Sequence, residues 1–371
     1  MVKSWNIWDF PDKINIILKN EIHEEFFNYM FQKFGGKRPY ARFLGIYQNH
    51  VKNMHKGYSK NKEKIYNFYT PNWVFKKSLH LLNNNLKRKI ENNIIAIKCM
   101  STGNKVFNPK LPIKESPALY RIVAHLLGDG FAGKRKVPYY ANTCKELREQ
   151  FKTDLKIFGD LESYERTPNT TPCLHFPKVI SDILKHILDI EFTRPNKLPQ
   201  NIFNASKECK KEFVKAFFDD EGTISTNLAI GMNNLNLMGE IKTLVESLDI
   251  QTNKISKGKS SSGGICYYFS IPKKEILKFK DNLGFDHPIK LERLKLWLKI
   301  KERNQTQRTR PLEWSRCEIL RLLKEKPMTT FDLSKELLLT INGIYLHLNF
   351  LKNSEMITCK GFKNKKIWYL V

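Results

Sequence analysis

No stretch of the chain approaches the roughly 18 apolar residues of a membrane-spanning helix, and the start, Met-Val-Lys-Ser-Trp-Asn, lacks the apolar run of a secretory signal. The sequence therefore reads as an intracellular, cytoplasmic protein with no membrane partner. Cysteine is sparse: seven in 371 residues, an odd number with no Cys-x-x-Cys pair and no histidines at zinc-finger spacing. That speaks against a disulfide framework and against a structural zinc site. Acidic residues are also few, 37 against 64 Lys and Arg, which leaves a formal net charge of +27 and makes a polyanion the implied partner. What is present suffices for folding: 41% hydrophobic and 12% aromatic residues would fill roughly two to four units with cores of their own.

The charge is uneven. Residues 1–110 hold 20 basic and 7 acidic side chains, 111–290 hold 27 and 22, and 291–371 hold 17 and 8, so the flanks carry the excess and the centre keeps its carboxylates. Hydrophobic patterning divides the chain into a helical region over 1–110, two mixed regions over 111–200 and 201–300, and a last unit over 313–371. In the first region Ile22 to Phe34 has helical apolar spacing. Between Arg38 and Lys56, Tyr40, Ala41 and Leu44 share one helix face, Gly45 ends that helix, and Val51 and Met54 form the buried face of the next. This segment, RPYARFLGIYQNHVKNMHKG, resembles the helix-turn-helix of the phage repressor family. The resemblance implies an all-α N-terminal domain whose second helix offers Gln48, Asn49, Lys52, Asn53 and His55 to the major groove.

At the other end, Ile319, Leu320, Leu322 and Leu323 make a helix face before Pro327. Thr329-Thr330 offers a cap for Phe331 to Leu338, and Thr340 caps Ile341 to Asn353. Two β-prone runs, Met356 to Thr358 and Ile367 to Leu370, follow around a basic, glycine-bearing loop. The pattern looks like a winged helix, with Lys363, Lys365 and Lys366 on the wing against a phosphate backbone.

The centre repeats itself. LYRIVAHLLGDG, ending at Gly130, and EFVKAFFDDEG, ending at Gly222, are apolar helices that each close on a carboxylate followed by glycine. Asp129 aligns with Glu221 at an offset of 92 residues, and Ala124 with Ala216. An acid at a helix C-terminus opposes the macrodipole, a conflict that a bound cation removes. The small alanines let two helix backbones approach. Gly130 and Gly222 suit the left-handed residue that ends a helix. Each helix is followed by the same predicted order, giving α-β-β-α-β-β-α twice.

Two such motifs with matching sequels resemble the LAGLIDADG (DOD-type) homing endonucleases, in the two-motif form, over residues 111–300. The resemblance implies an α+β protein in which two pseudo-symmetric repeats form a DNA saddle. Asp129 and Glu221 would hold Mg²⁺ or another hard divalent cation. Lys197, after the first repeat, and Lys290, after Asp286-His287-Pro288, are candidates for basic residues that support the attacking water. Lys257 and Lys259 on the second hairpin would contact DNA. The implied activity is site-specific double-strand DNA cleavage by a monomer; the alternatives are a DNA-binding transcriptional regulator that uses the scaffold without cleavage, or an RNA maturase. With no splicing residue at the start and no terminal His-Asn pair, the chain is expected to be free-standing. His125, at a position the family usually keeps apolar, reads as a satisfied core residue, and Asp219 as helix surface or a second-layer acid.

Overall fold

Ile14–Leu18 is apolar except for Asn15, and all five of its residues are buried in the middle of a sheet. The computed structural model describes residues 3–56, 69–100, 104–133, 136–168, 170–225, 227–259, 263–306, 311–361 and 366–371. It divides into two compact units, Met1–Asp220 and Glu221–Val371.

The first unit opens with β1 (Ser4–Trp5) and β2 (Ile14–Leu18), then α1 (Asn20–Phe34), α2 (Lys37–Leu44) and α3 (Gln48–Lys56). β3 (Thr70–Pro71), α4 (Asn72–Ser78), α5 (Asn84–Asn92), β4 (Ile94–Cys99), β5 (Lys105–Phe107) and β6 (Ile113–Lys114) complete its first part. The N-terminal region is therefore not all-α. β2, β4 and β5 form the centre of a five-stranded sheet whose edges are β3 and, from beyond residue 110, β9 (Asp160–Leu161). Local periodicity misses such a sheet because its strands pair across some eighty residues of intervening chain (Ile16 with Ile97).

The helical part follows expectation more closely. Gly35 (φ 73°) and Gly45 (φ 77°) end α1 and α2 in the left-handed conformation, where a Cβ would be strained. Tyr40, Ala41, Leu44 and Val51 are buried as the spacing requires. His23, in the first turn of α1, is fully buried, with Nε2 3.2 Å from Thr70 Oγ1. Burial, and then the neighbouring His55, lower its pKa to about 4. Between about pH 6.5 and 4 the unfolded chain binds a proton that the folded one refuses, so this unit loses stability as pH falls through that window, by about 3 kcal/mol in all. Urea unfolding of wild type and His23→Gln, compared near neutrality and at about pH 4, tests this: the wild type should lose more stability than the variant, by roughly that amount.

The unit continues with α6 (Pro117–Leu127), β7 (Gly130–Phe131), β8 (Tyr139–Ala141), α7 (Lys145–Asp154), β10 (Tyr164–Arg166), β11 (Cys173–His175), α8 (Lys178–Leu188), α9 (Gln200–Phe203) and α10 (Lys207–Glu221). α6 starts cleanly: Ser116 Oγ accepts from Leu119 N–H at 3.4 Å, and Pro117 has no N–H to satisfy. Its four-stranded antiparallel sheet has the order β10-β11-β8-β7.

In the second unit come β12 (Gly222–Ile224), β13 (Leu228–Met232), α11 (Leu235–Glu246), β14 (Ser256–Lys259), β15 (Ile265–Ile271), α12 (Ile276–Asn282) and α13 (Pro288–Thr306). The sheet order is β12-β13-β15-β14. Taken in chain order, the four strands of each unit's sheet are connected alike, so the repeated element order of the sequence is also a repeated topology.

The unit ends in α14 (Leu312–Glu325), β16 (Met328–Thr329), α15 (Thr330–Leu337), α16 (Ile341–Asn353), β17 (Ile357–Lys360) and β18 (Ile367–Leu370). Ile319, Leu322, Leu333, Ile344, Leu348 and Trp368 share one core. Thr329 and Asp332 close a capping box on α15, and Thr340 Oγ1 accepts from Gly343 N–H on α16, as the sequence predicts. Lys363 and Lys365 lie outside the described residues; Lys366 is half-buried at the start of β18's approach. Among the described residues no helix is long and apolar enough to cross a membrane.

Candidate functional site

α6 and α10 run side by side in the first unit, and their register is the one that aligns the two motifs. Arg121 near the start of α6 donates from Nη1 to Glu212 Oε2 of α10 at 2.7 Å, and clasps Asp154 with Nε and Nη2 at 2.8 and 2.7 Å. At the other end Gly128 faces Asp220, its partner in the alignment. A Cβ on Gly128 would lie 2.9 Å from both Asp220 Cβ and Oδ2. Gly128→Ala is therefore expected to lower stability by about 1–3 kcal/mol as the wedge forces the helices apart, read by thermal denaturation. At a relaxed site the same exchange would be neutral or favourable.

Asp220 is the hub. Its side chain has 0% exposure, and it accepts from Tyr140 OH at 2.7 Å and Asn142 Nδ2 at 3.2 Å, with His125 Nδ1 2.9 Å away. Burial depresses the His125 pKa, but the Asp220 carboxylate, helped by Asp219 and Asp154, outweighs it and carries the pKa above its ordinary value. The Tyr140 phenol is pushed up by burial and by the same carboxylate, so it stays a donor. His125 is thus a core residue paired with Asp220, in keeping with its sequence reading as core rather than ligand. Asp219 is not on the helix surface as that reading allowed: it is 1% exposed, because it falls on the face of α10 turned into the unit.

Asn142, at the end of β8, ties this pair to the helix tip. Its Nδ2 also donates to Asp129 Oδ2 at 3.0 Å, while its Oδ1 accepts from Cys144 N–H at 2.9 Å and its carbonyl from Arg148 Nη1 at 2.8 Å. Asp129 itself is exposed just beyond α6, and Glu221, half-buried, is the last residue of α10. The glycines after these acids are not left-handed as expected. α10 passes directly into β12, and α6 reaches β7 after only Gly128 and Asp129. Gly130 is needed for space, since a Cβ there would meet Leu126 Cα at 2.4 Å and its carbonyl at 2.8 Å.

The other predicted residues scatter. Lys197 is exposed between α8 and α9, and Lys290 is half-buried in the first turn of α13. On α3, Gln48, Asn49 and Lys52 are exposed and Asn53 is half-buried. His55 is half-buried: its ring packs against Phe27 (5.4 Å between centroids) and Phe31 (5.2 Å), and burial followed by the charge on Lys37 lowers its pKa. It follows Val51 by one helical turn and so shares the buried face. Lys257 and Lys259 are exposed on β14, but they occupy the pleat that bears Phe269 and Ile271, at the rim of the covered face.

The residues that sequence reading missed lie on the sheets' other faces. In the first unit Phe131, Tyr139, His175 and Tyr164 are cross-strand neighbours in one row. Phe131 stacks on Tyr139 (5.4 Å, 19°), Tyr139 meets His175 at 5.3 Å, His175 stacks on Tyr164 (4.9 Å, 12°), and the Arg166 guanidinium lies 5.0 Å from the Tyr164 ring. The ladder is half-buried. In the second unit the matching face carries Thr223, Ala229, Gly231, Tyr268 and Ser270, small or polar residues around one tyrosine.

No protein-family model matches the chain. It is 25% identical over 218 residues to a probable translation initiation factor IF-2 of Methanocaldococcus jannaschii, and 24% identical over 197 residues to a glutamine–fructose-6-phosphate aminotransferase (isomerizing) of the same organism. These matches cover 55% and 50% of this chain but only 18% of each curated relative's length. Among solved structures, the chain is similar to I-DmoI in complex with DNA and Mn (14% identity, TM-score 0.34, 45% of this chain and 96% of that one). It is also similar to full-length DUF199/WhiA from Thermatoga maritima (12% identity, TM-score 0.35, 64% and 91%).

Proposed function

We propose that the chain is a site-specific, metal-dependent double-strand DNA endonuclease built on two LAGLIDADG-type repeats. The observation that supports this reading is the register of α6 against α10. Gly128 faces Asp220 as the aligned motifs require, and Asp129 and Glu221 are each the next residue along the chain. The +27 charge supplies the attraction for a polyanion. Two proteins named for unrelated activities share with this chain a stretch that is 18% of each, which suits a module whose chemistry is neither of theirs.

The donor chemistry fits a hard divalent cation such as Mg²⁺. Among the described residues no group of three or more His, Cys, Asp or Glu is arranged to hold a metal, so the protein would offer single carboxylates, Asp129 and Glu221, rather than a cage. Asp220 is already engaged by Tyr140, Asn142 and His125, and has a structural role. When bound, such an ion supplies an activated water and offsets charge at the leaving oxygen. The chain's own residues hold Asp129 through Asn142. They present the ladder Tyr139, His175, Tyr164 and Arg166, with Tyr268 in the second unit, to base edges, and place Gln48, Asn49 and Lys52 of α3 and the basic wing around Lys366 against the backbone. Lys197 and Lys290 remain the candidates for supporting the attacking water.

The second reading, a DNA-binding regulator on the same scaffold, draws on the buried Asp220 network, which a protein that never cuts would need just as much. Incubation with a randomised duplex library and Mg²⁺ separates them. Cleavage of a defined sequence in both strands is the expected result; specific binding with both strands intact would leave the regulator, and processing of RNA alone the maturase.

A further inference from the structure

α16 buries Ile344, His347, Leu348 and Leu351 and so turns a second face outward. Asn342, Leu346, Asn349, Phe350 and Asn353 recur on that face at intervals of four, three, one and three residues, the spacing of one stripe along an α-helix. All five are exposed, and the two apolar members, Leu346 at 73% and Phe350 at 47%, stand one turn apart among the amides. Among the described residues the three asparagine side chains make no hydrogen bond to the protein.

The edges of the stripe are positive. With about 100° of turn per residue, Phe350 and Lys352 stand about 80° to either side of Asn342. The Arg316 guanidinium of α14 lies 3.4 Å from the centre of the Phe350 ring, so one cation borders that edge while Lys352, exposed, borders the other. Arg316 Nε is buried without a hydrogen-bond partner, and among the described residues its side chain joins no ion pair. No acid occurs from Leu337 to Ser354. Uncharged readers in the middle and a cation at each edge match a major groove, whose floor is base edges and whose two walls are phosphates. A protein partner would instead have to pair three amides that it buries, and a second copy of this chain would bring a further +27 to the contact.

We infer that α16 reads a run of A·T base pairs in the major groove: its three outward asparagines face adenines, Leu346 and Phe350 pack on thymine methyl groups, and Arg316 and Lys352 meet the two phosphate strands. The inference rests on the reading of the chain as a DNA-binding protein, and adds to it the base composition of one stretch of the target. Residue chemistry selects the base. An asparagine amide donates to adenine N7 and accepts from the N6 amino group, whereas guanine is read best by Arg or Lys, and neither lies in the middle of the stripe. Thymine also offers an apolar side chain a methyl group that cytosine lacks. From Asn342 to Asn353 the helix rises about 16 Å, the length of roughly five base pairs.

The test is selection of a randomised duplex library by the full chain in EDTA, so that cleavage plays no part, followed by sequencing of the bound DNA. Wild type should enrich a stretch of roughly five base pairs rich in A·T. Exchanging one of those pairs for G·C should weaken binding about tenfold in fluorescence anisotropy. Asn342→Ala/Asn349→Ala should lose the preference and keep the rest of the selected sequence. Asn349→Arg should exchange one preferred adenine for guanine, a switch that a purely structural helix would not produce. Lys352→Ala should retain the preference and lower the slope of log K against log salt by about 0.9. An unaltered A·T stretch in Asn342→Ala/Asn349→Ala overturns the inference, as does a wild type that selects a defined sequence without such a stretch. A chain that sediments as a dimer without DNA, and as a monomer in Leu346→Glu, would assign the face to a second copy and overturn it too. If wild type binds no duplex at all, the DNA reading itself falls, which sets that failure apart from a loss of the A·T preference alone.

Discussion

Asp129→Asn and Glu221→Gln are each expected to slow strand cleavage on the order of 10³-fold while leaving duplex binding in place. The exchanges are isosteric and remove one negative charge from the end of a helix. If each acid is a single-carboxylate contribution to a hard cation, its loss forfeits about 4 kcal/mol of transition-state charge stabilisation, and each 1.36 kcal/mol is tenfold in rate. The physics also fixes what happens without metal. An ionised acid beside a phosphate repels it, so both variants should bind duplex more tightly than wild type in EDTA, and the difference should shrink when Mg²⁺ is added. Cleavage assays across a Mg²⁺ titration, paired with anisotropy in EDTA, check both halves. If Asp129→Asn cuts at the wild-type rate, Asp129 has no part in metal binding and the endonuclease reading loses its site; wild-type binding without any cutting would favour the regulator. Asn142→Leu is informative beside them: it removes the donor that holds Asp129, so it should raise the Mg²⁺ needed for half-maximal cleavage more than it lowers the rate at saturating metal.

Much of the fold was legible because its signals are local. Gly45, Thr329 and Thr340 mark helix ends through hydrogen bonds that span three or four residues, and the structure uses each as the sequence reading proposed. The element order after each acidic helix was legible for a further reason, since it appears twice and each copy checks the other. The N-terminal sheet was not, because Ile14–Leu18 has no alternation, and its pairing with Ile94–Cys99 is set by tertiary burial. His55 illustrates a subtler loss: its place one turn after Val51 identifies a buried face, but a polar side chain next to Lys56 invites a solvent reading. In the candidate site, the aligned motifs paired Gly128 with Asp220 on paper. What they could not convey was that the glycine is there to admit the aspartate, because a facing contact depends on two helices meeting in parallel. The His125–Asp220 pair was visible as two departures from an apolar pattern, and only the packing joins them.

That pair governs the second large effect. Asp220→Ala is expected to cost about 3–5 kcal/mol, the range for removing one member of a buried ion pair, because it strands His125 at 1% side-chain exposure and withdraws an acceptor from Tyr140 and Asn142. The pH dependence gives the loss a signature. Because Asp220 outweighs burial and raises the His125 pKa, the folded state binds a proton more tightly than the unfolded state. The pair's contribution is therefore complete below the ordinary histidine value of about 6.5 and is lost as pH rises through the raised one. Wild type should lose stability across that alkaline window, and Asp220→Ala should lack this pH-dependent term. The opposite window belongs to His23, whose contribution disappears on acidification, so the two histidines can be separated in one set of urea titrations at stepped pH. Removing both members, as in His125→Leu/Asp220→Ala, strands neither partner of the pair and should cost less than the two single changes added together. A strictly additive double variant, or a wild type whose stability is flat above neutrality, would mean that His125 is neutral in the folded protein. Tyr140 and Asn142 would then be the donors that hold Asp220 against Gly128.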